Sequence, residues 1–161
     1  MDSYEKNIMD LANSNSKVVF DNKGADHAEV VLRNIIKNAN SRIFMYTGSL
    51  SGETLESEKL SNELKAYLNK ENTIFHIIHE EDTLNTNSLF YETLKPFIDN
   101  KKVIIKKSNC QNGKGMHFCV ADSKMLRLEN DPIQFKALCS FNLPVQAKKL
   151  EEKFESCFNA N

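Results

Sequence analysis

The chain has 161 residues, enough for one compact domain with its own core and too few for two ordinary ones. Hydrophobic residues make up 40% and charged residues 27%, a globular balance that excludes disordered and fibrous classes. The formal charge of −1 excludes an overall basic footprint, so any binding to a polyanion has to be local.

No apolar run approaches the ~18 residues of a membrane span. The start Met1-Asp2-Ser3-Tyr4-Glu5-Lys6 lacks the basic and then apolar pattern of a signal peptide. The expectation is a cytoplasmic protein without a membrane partner. Cys110, Cys119, Cys139 and Cys157 form no CxxC pair and no zinc spacing, and reduced thiols are expected.

Taken in order, residues 1–16 place Tyr4, Ile8, Met9 and Leu11 in helical spacing, then break at Asn13-Ser14-Asn15-Ser16, which reads as a short leading helical segment. Residues 17–161 form the single domain proper. Lys17-Val18-Val19-Phe20 is a brief strand, and Asp21-Asn22-Lys23-Gly24 turns into a helix burying Ala28, Val31, Leu32, Ile35, Ile36 and Ala39. Arg42-Ile43-Phe44-Met45-Tyr46 is apolar on nearly every residue, as in a strand covered on both faces. A loop, Gly48-Ser49-Leu50-Ser51-Gly52, leads to a helix marked by Leu60, Leu64, Tyr67 and Leu68. Residues 73–78 are another buried strand, and Leu89, Phe90, Leu94, Phe97 and Ile98 mark a third helix capped by Asn85 or Asn87.

Residues 103–105 complete a βαβαβαβ series and imply a largely parallel sheet. The end of the chain differs. Residues 116–121, 124–128 and 135–141 are three strands with short links, hence antiparallel, and Pro144 opens a last helix burying Ala147, Leu150, Phe154 and Phe158. The fold class is α/β: a mixed sheet of parallel βαβ units followed by antiparallel strands, flanked by helices.

Candidate chemistry concentrates near this second half. His117 lies on an alternating strand after a loop made basic and flexible by Lys106, Lys107, Lys114, Gly113 and Gly115. Cys119 shares its strand face, which suits a small core thiol better than a nucleophile. Asp122 flanks a tight hairpin, Arg127 and Glu129 share one strand face as an ion pair, and Ser140 and Asn142 end a strand. Gly48 and Ser49 follow a central strand, the edge where α/β sheets bind ligands, without the lysine of a P-loop. His76 and His79 fall on opposite strand faces, so neither a metal nor another cofactor is expected.

With these residues in place, the chain resembles the phospholipase D superfamily, in its half-length members with one H-x-K-x4-D motif followed by G-S-x-N. His117 stands at the histidine and Ser140-Phe141-Asn142 at S-x-N, with Cys139 for the glycine, Cys119 for the lysine and Lys124 for the aspartate. It is also similar to divergent phospholipase D-like domains reading H-F, then Asp, R-x-E and F-N: His117-Phe118, Asp122, Arg127-Leu128-Glu129 and Phe141-Asn142.

The resemblance implies a metal-independent phosphodiesterase, nuclease-like rather than lipid-directed, whose active form is a homodimer pairing two His117 rings around one phosphate. It implies His117, Ser140, Asn142, Arg127, Glu129 and Asp122 as catalytic residues and nucleic acid or another phosphodiester as ligand; Lys114, from the basic loop, and Gly48 and Ser49, at the ligand-binding edge, are the candidates for binding its phosphate. The degenerate motif implies an alternative: a pseudoenzyme serving as a ligand-binding or protein-interaction module with a protein partner in a larger assembly.

Overall fold

Ile43 and Met45 turn to one face of the strand Arg42–Thr47, Phe44 and Tyr46 turn to the other, and none of the four is more than 5% exposed. A strand so built has to lie between two apolar layers. The computed structural model describes residues 2–111 and 115–160 and shows those layers. Helices α1 (Ser3–Asn13), α2 (Ala25–Asn38), α3 (Glu58–Leu68) and α4 (Leu89–Leu94) contribute to one, and α5 (Pro144–Asn159) covers the other. Between them runs a seven-stranded mixed sheet of β1 (Phe20–Asn22), β2 (Arg42–Thr47), β3 (Ile74–His79), β4 (Val103–Lys107), β5 (Phe118–Ala121), β6 (Met125–Asp131) and β7 (Lys136–Ser140).

The strand order is β1-β7-β6-β5-β2-β3-β4. Strands β2, β3 and β4 are parallel, while β5 joins β2 antiparallel and every pairing from β5 to β1 is antiparallel. This is the expected fold class with one correction. The first strand is no part of the parallel series: it pairs with β7 at the far edge, because the C-terminal hairpins insert between it and β2. Local apolarity marks a strand but not its neighbour.

Helix α2 lays Ala28, Val31, Leu32, Ile35 and Ile36 on the sheet, each at most 4% exposed. Burial of each large aliphatic side chain contributes about 1.5–3 kcal/mol. Helix α1 adds Ile8 and Ala12 to the same core. Ser88, rather than either predicted asparagine, caps α4 by accepting from the Tyr91 amide. Helix α5 begins at Pro144 as expected and packs Phe154 on Phe44, ring centroids 4.8 Å apart.

The cysteines also depart from expectation. The last turn of α5 returns to the loop after β4, bringing the Cα atoms of Cys110 and Cys157 to 5.4 Å, and a disulfide joins them. Cys119 and Cys139 are free and buried. No helix of the described residues is long and apolar enough to cross a membrane.

Candidate functional site

His117 immediately precedes β5, beside the carboxyl ends of β2 and β3. Its carbonyl accepts from the Glu129 amide on β6 at 2.9 Å, so sheet pairing itself sets the two side chains next to each other. Glu129 Oε2 lies 3.1 Å from His117 Nδ1, and Glu80 Oε2, from the residue just after β3, lies 3.1 Å from Nε2. Both ring nitrogens therefore face carboxylates.

The second oxygen of Glu129 accepts from Arg127 Nη1 at 2.8 Å. Arg127 is only 4% exposed, and its other donors are also engaged: Nε gives to Asn22 Oδ1 at 3.0 Å and Nη2 to the Phe135 carbonyl at 3.3 Å. A buried guanidinium requires this degree of pairing. Asn22 Nδ2 gives to the same carbonyl at 2.9 Å, tying β1 into the cluster.

The hydrogen bond to Glu129 raises the His117 pKa above its ordinary value, outweighing burial, and Glu80 adds to the rise. Burial works to raise the Glu129 carboxyl, but the hydrogen bonds from His117 and Arg127 prevail and hold it below the usual range. Such a histidine is biased toward imidazolium, a donor at both nitrogens. Burial pushes the neighbouring Cys119 thiol up to about 12 despite Arg127, which rules out a resting thiolate nucleophile.

The cluster borders a cavity of about 280 Å³ under the loop that follows β2. Gly48, Ser51 and Thr54 supply small walls, Leu32, Met45 and Leu55 an apolar base. Gly48 packs closely against the imidazole: a Cβ there would lie 3.0 Å from Cε1. Ser49 Oγ gives to the Ser51 carbonyl at 2.9 Å and Thr47 Oγ1 to the Ser49 carbonyl at 3.0 Å, so the loop satisfies its own hydroxyls. Among the described residues no group of three or more His, Cys, Asp or Glu is placed to hold a metal ion.

No protein-family model matches the chain, and no curated protein matches it by sequence. Solved structures do match. Nuc from Salmonella typhimurium, a phospholipase D family member, superposes with a TM-score of 0.63 at 15% identity over 88% of this chain and 95% of its own. NucT from Helicobacter pylori does so with a TM-score of 0.60 at 11% identity, over 88% and 97%. The chain has a phospholipase D-like fold. The archaeal chromatin protein TrmBL2, described as showing a novel mode of DNA binding, gives a TM-score of 0.65 at 8% identity over 97% of this chain, which spans 60% of the TrmBL2 chain.

On this phospholipase D-like fold, His117, Arg127, Glu129, Gly48 and Ser49 come together around one cavity. Three other candidates do not join them. Ser140 pairs with Leu126, which pairs with Val120, three rungs or about 10 Å along the sheet from the His117–Glu129 rung. Asn142 lies beyond it, giving Nδ2 to the Asn15 carbonyl at 3.3 Å. Asp122 sits at that same far end, accepting from the amides of Asn40, Ser41 and Arg42 at 2.7–3.0 Å. The structure thus does not bring Ser140 and Asn142 to His117: β7 runs in the same direction as β5, so a residue at the end of β7 lies level with the end of β5, away from His117, which precedes its start. Lys114 lies outside the described residues.

Two residues of the cluster escape sequence reading. Glu80 carried a signal, since Glu80-Glu81 directly follows a buried parallel strand at the edge where ligands bind. Asn22 carried none, because it reads as a turn residue and its place depends on the long-range pairing of β1 with β7.

Proposed function

We propose that this chain uses its phospholipase D-like fold to bind a phosphodiester of the kind nucleic acids carry, at His117, without cleaving it efficiently. The observation that carries this reading is the state of His117: an imidazole biased toward the cation, held at Nδ1 by Glu129, with Nε2 beside the cavity. A doubly donating imidazolium recognises an oxyanion but is no nucleophile. Cleavage would also need charge stabilisation at phosphorus. The position of the motif lysine holds the buried, neutral Cys119, and Arg127 is committed to Glu129, Asn22 and Phe135. Loss of one such donor typically costs about two to three orders of magnitude in rate. The likeness to nucleases and to a DNA-binding chromatin protein supports nucleic acid as the ligand class.

A second reading is favoured by one observation, the Glu129 carboxylate on Nδ1, which orients the ring as a nucleophilic or acidic histidine would require. In that reading two copies pair their His117 residues as a metal-independent phosphodiesterase. In the binding reading the domain works as a ligand-binding module, alone, paired or within a larger assembly.

The test is to incubate wild type and His117→Ala with single-stranded DNA, double-stranded DNA and RNA, with and without a chelator, measuring cleavage and, by fluorescence anisotropy, binding. Binding lost in His117→Ala without turnover supports the module. Chelator-resistant cleavage lost in the variant establishes the enzyme, and no His117-dependent binding or cleavage overturns both.

A further inference from the structure

The carboxylate of Glu80 is placed as a ligand would be. Its Oε2 lies 3.1 Å from His117 Nε2, and its Oε1 accepts from the Gly115 amide at 2.6 Å. Two donors two residues apart, a backbone amide and an imidazole, thus converge on the two oxygens of one anionic group, the arrangement that recognises a phosphate oxygen pair.

The tether is well suited to release. The Glu80 amide gives to the Thr47 and Gly48 carbonyls at 3.1 and 3.2 Å, fixing the backbone, while the side chain stays 19% exposed. A change of side-chain rotamer alone would carry the carboxylate toward solvent, with no movement of the strand. Charge favours replacement over simple departure. When His117 is protonated, it and Arg127 balance Glu80 and Glu129; with Glu80 turned away and Glu129 still holding the imidazolium, the partly buried cluster keeps an uncompensated positive charge, and an entering oxyanion restores neutrality.

We propose that His117 Nε2 and the Gly115 amide form an oxyanion subsite which Glu80 fills in the free protein, and that a phosphate group of the ligand binds by displacing it. This rests on the phosphate-binding reading of His117 given above and adds the internal competitor. A competitor in place about 90% of the time lowers apparent affinity about tenfold, because only the open fraction binds.

The experiment follows the Gly115 amide resonance in every protein, together with the His117 Cε1–H resonance where His117 is present, by NMR during titration with inorganic phosphate and, separately, with a dinucleoside monophosphate. The proteins are wild type, Glu80→Gln, Glu80→Asp and His117→Ala. Glu80→Gln keeps shape and removes charge; Glu80→Asp keeps charge and withdraws the carboxylate by one methylene. Both are expected to bind about tenfold or more tightly than wild type, with a response from the diester if the ligand is nucleic acid and from phosphate alone if it is a monoester. Equal affinity in wild type and both Glu80 variants overturns the internal competitor and leaves the phosphate-binding reading standing. A gain in Glu80→Gln alone shows a through-space charge effect and also overturns it. No binding to any of the proteins, or equal binding to His117→Ala, overturns the phosphate-binding reading itself.

Discussion

Gly48 lies so close to His117 that a methyl group at position 48 would approach Cε1 to 3.0 Å and Nε2 to 3.3 Å. The ring cannot yield freely, since Glu129 and Glu80 hold it from both nitrogens. Gly48→Ala therefore pushes the imidazole off its partners. We expect stability to fall by about 1–3 kcal/mol, the usual cost of overpacking. The His117 pKa should drop toward its ordinary value as its hydrogen bonds lengthen. Urea unfolding and an NMR pH titration measure the two effects; an unchanged pKa with intact folding counts against tight packing at this contact.

The pH dependence of stability has two arms of opposite sign. His117 has a raised pKa in the folded state, so the stability it contributes is fully present below about 6.5 and is lost as pH rises through the folded value. Glu129 has a lowered one, so its contribution is present above about 4.5 and is lost as pH falls through the folded value. The destabilisation caused by His117→Ala is accordingly expected to shrink as pH rises above 6.5, while that of Glu129→Gln shrinks in acid. Denaturation midpoints at a series of pH values decide this. A His117→Ala penalty that grows from neutral to alkaline pH would contradict the imidazolium bridge.

The sequence made the layers legible because local apolar spacing encodes them: α2 and α5 bury the faces their periodicity predicts, and β2 is apolar throughout because helices cover both sides. Alternation along one strand made Arg127 and Glu129 legible as a same-face ion pair, while only the resemblance to divergent phospholipase D-like domains grouped them with His117. What lay beyond sequence was register and long-range pairing. Ser140 and Asn142 follow His117 in motif order, but the three short-linked antiparallel strands already imply that β5 and β7 run the same way, which sets the end of β7 away from His117. Glu80 and Asn22 reach the site through β3 and β1, strands far away in sequence; Glu80 carried only the signal of standing at the carboxyl end of a parallel strand, and Asn22 carried none.

Asp122 illustrates the difference between a motif position and a working residue. Its φ of 51° and that of Ser123, 55°, fit a two-residue hairpin turn in which Asp is favoured. Its carboxylate accepts from three backbone amides and from Ser41 Oγ at 2.8 Å. Burial alone would raise its pKa, but these donors lower it. Asp122→Ala is expected to cost about 0.5–1.5 kcal/mol, the net worth of hydrogen bonds whose donors at Asn40 and Ser41 can turn to water, without changing phosphate binding at His117. The stabilisation is present above about pH 3.9 and is lost as pH falls through the folded value. Chemical denaturation beside a phosphate titration checks both, and a variant that folds normally but loses ligand binding would return Asp122 to the site.

The disulfide between Cys110 and Cys157 closes a sequence separation of 47 residues and pins the loop after β4 to the last turn of α5. In the chain-entropy view, a link across that many residues stabilises the fold by about 4 kcal/mol by restricting the unfolded chain. The loop it anchors leads toward Gly115 and His117, whereas Cys119 and Cys139 are buried and have thiols pushed up to about 12, which slows their oxidation. Under reductant, or in Cys110→Ser, the unfolding midpoint should fall by an amount corresponding to about 2–5 kcal/mol. Cys139→Ser serves as a comparison, because its change in stability should not depend on reductant. Thiol counting under denaturing conditions gives the independent check: two reactive thiols without reductant and four with it. Four without reductant would mean that the link does not form in the isolated protein.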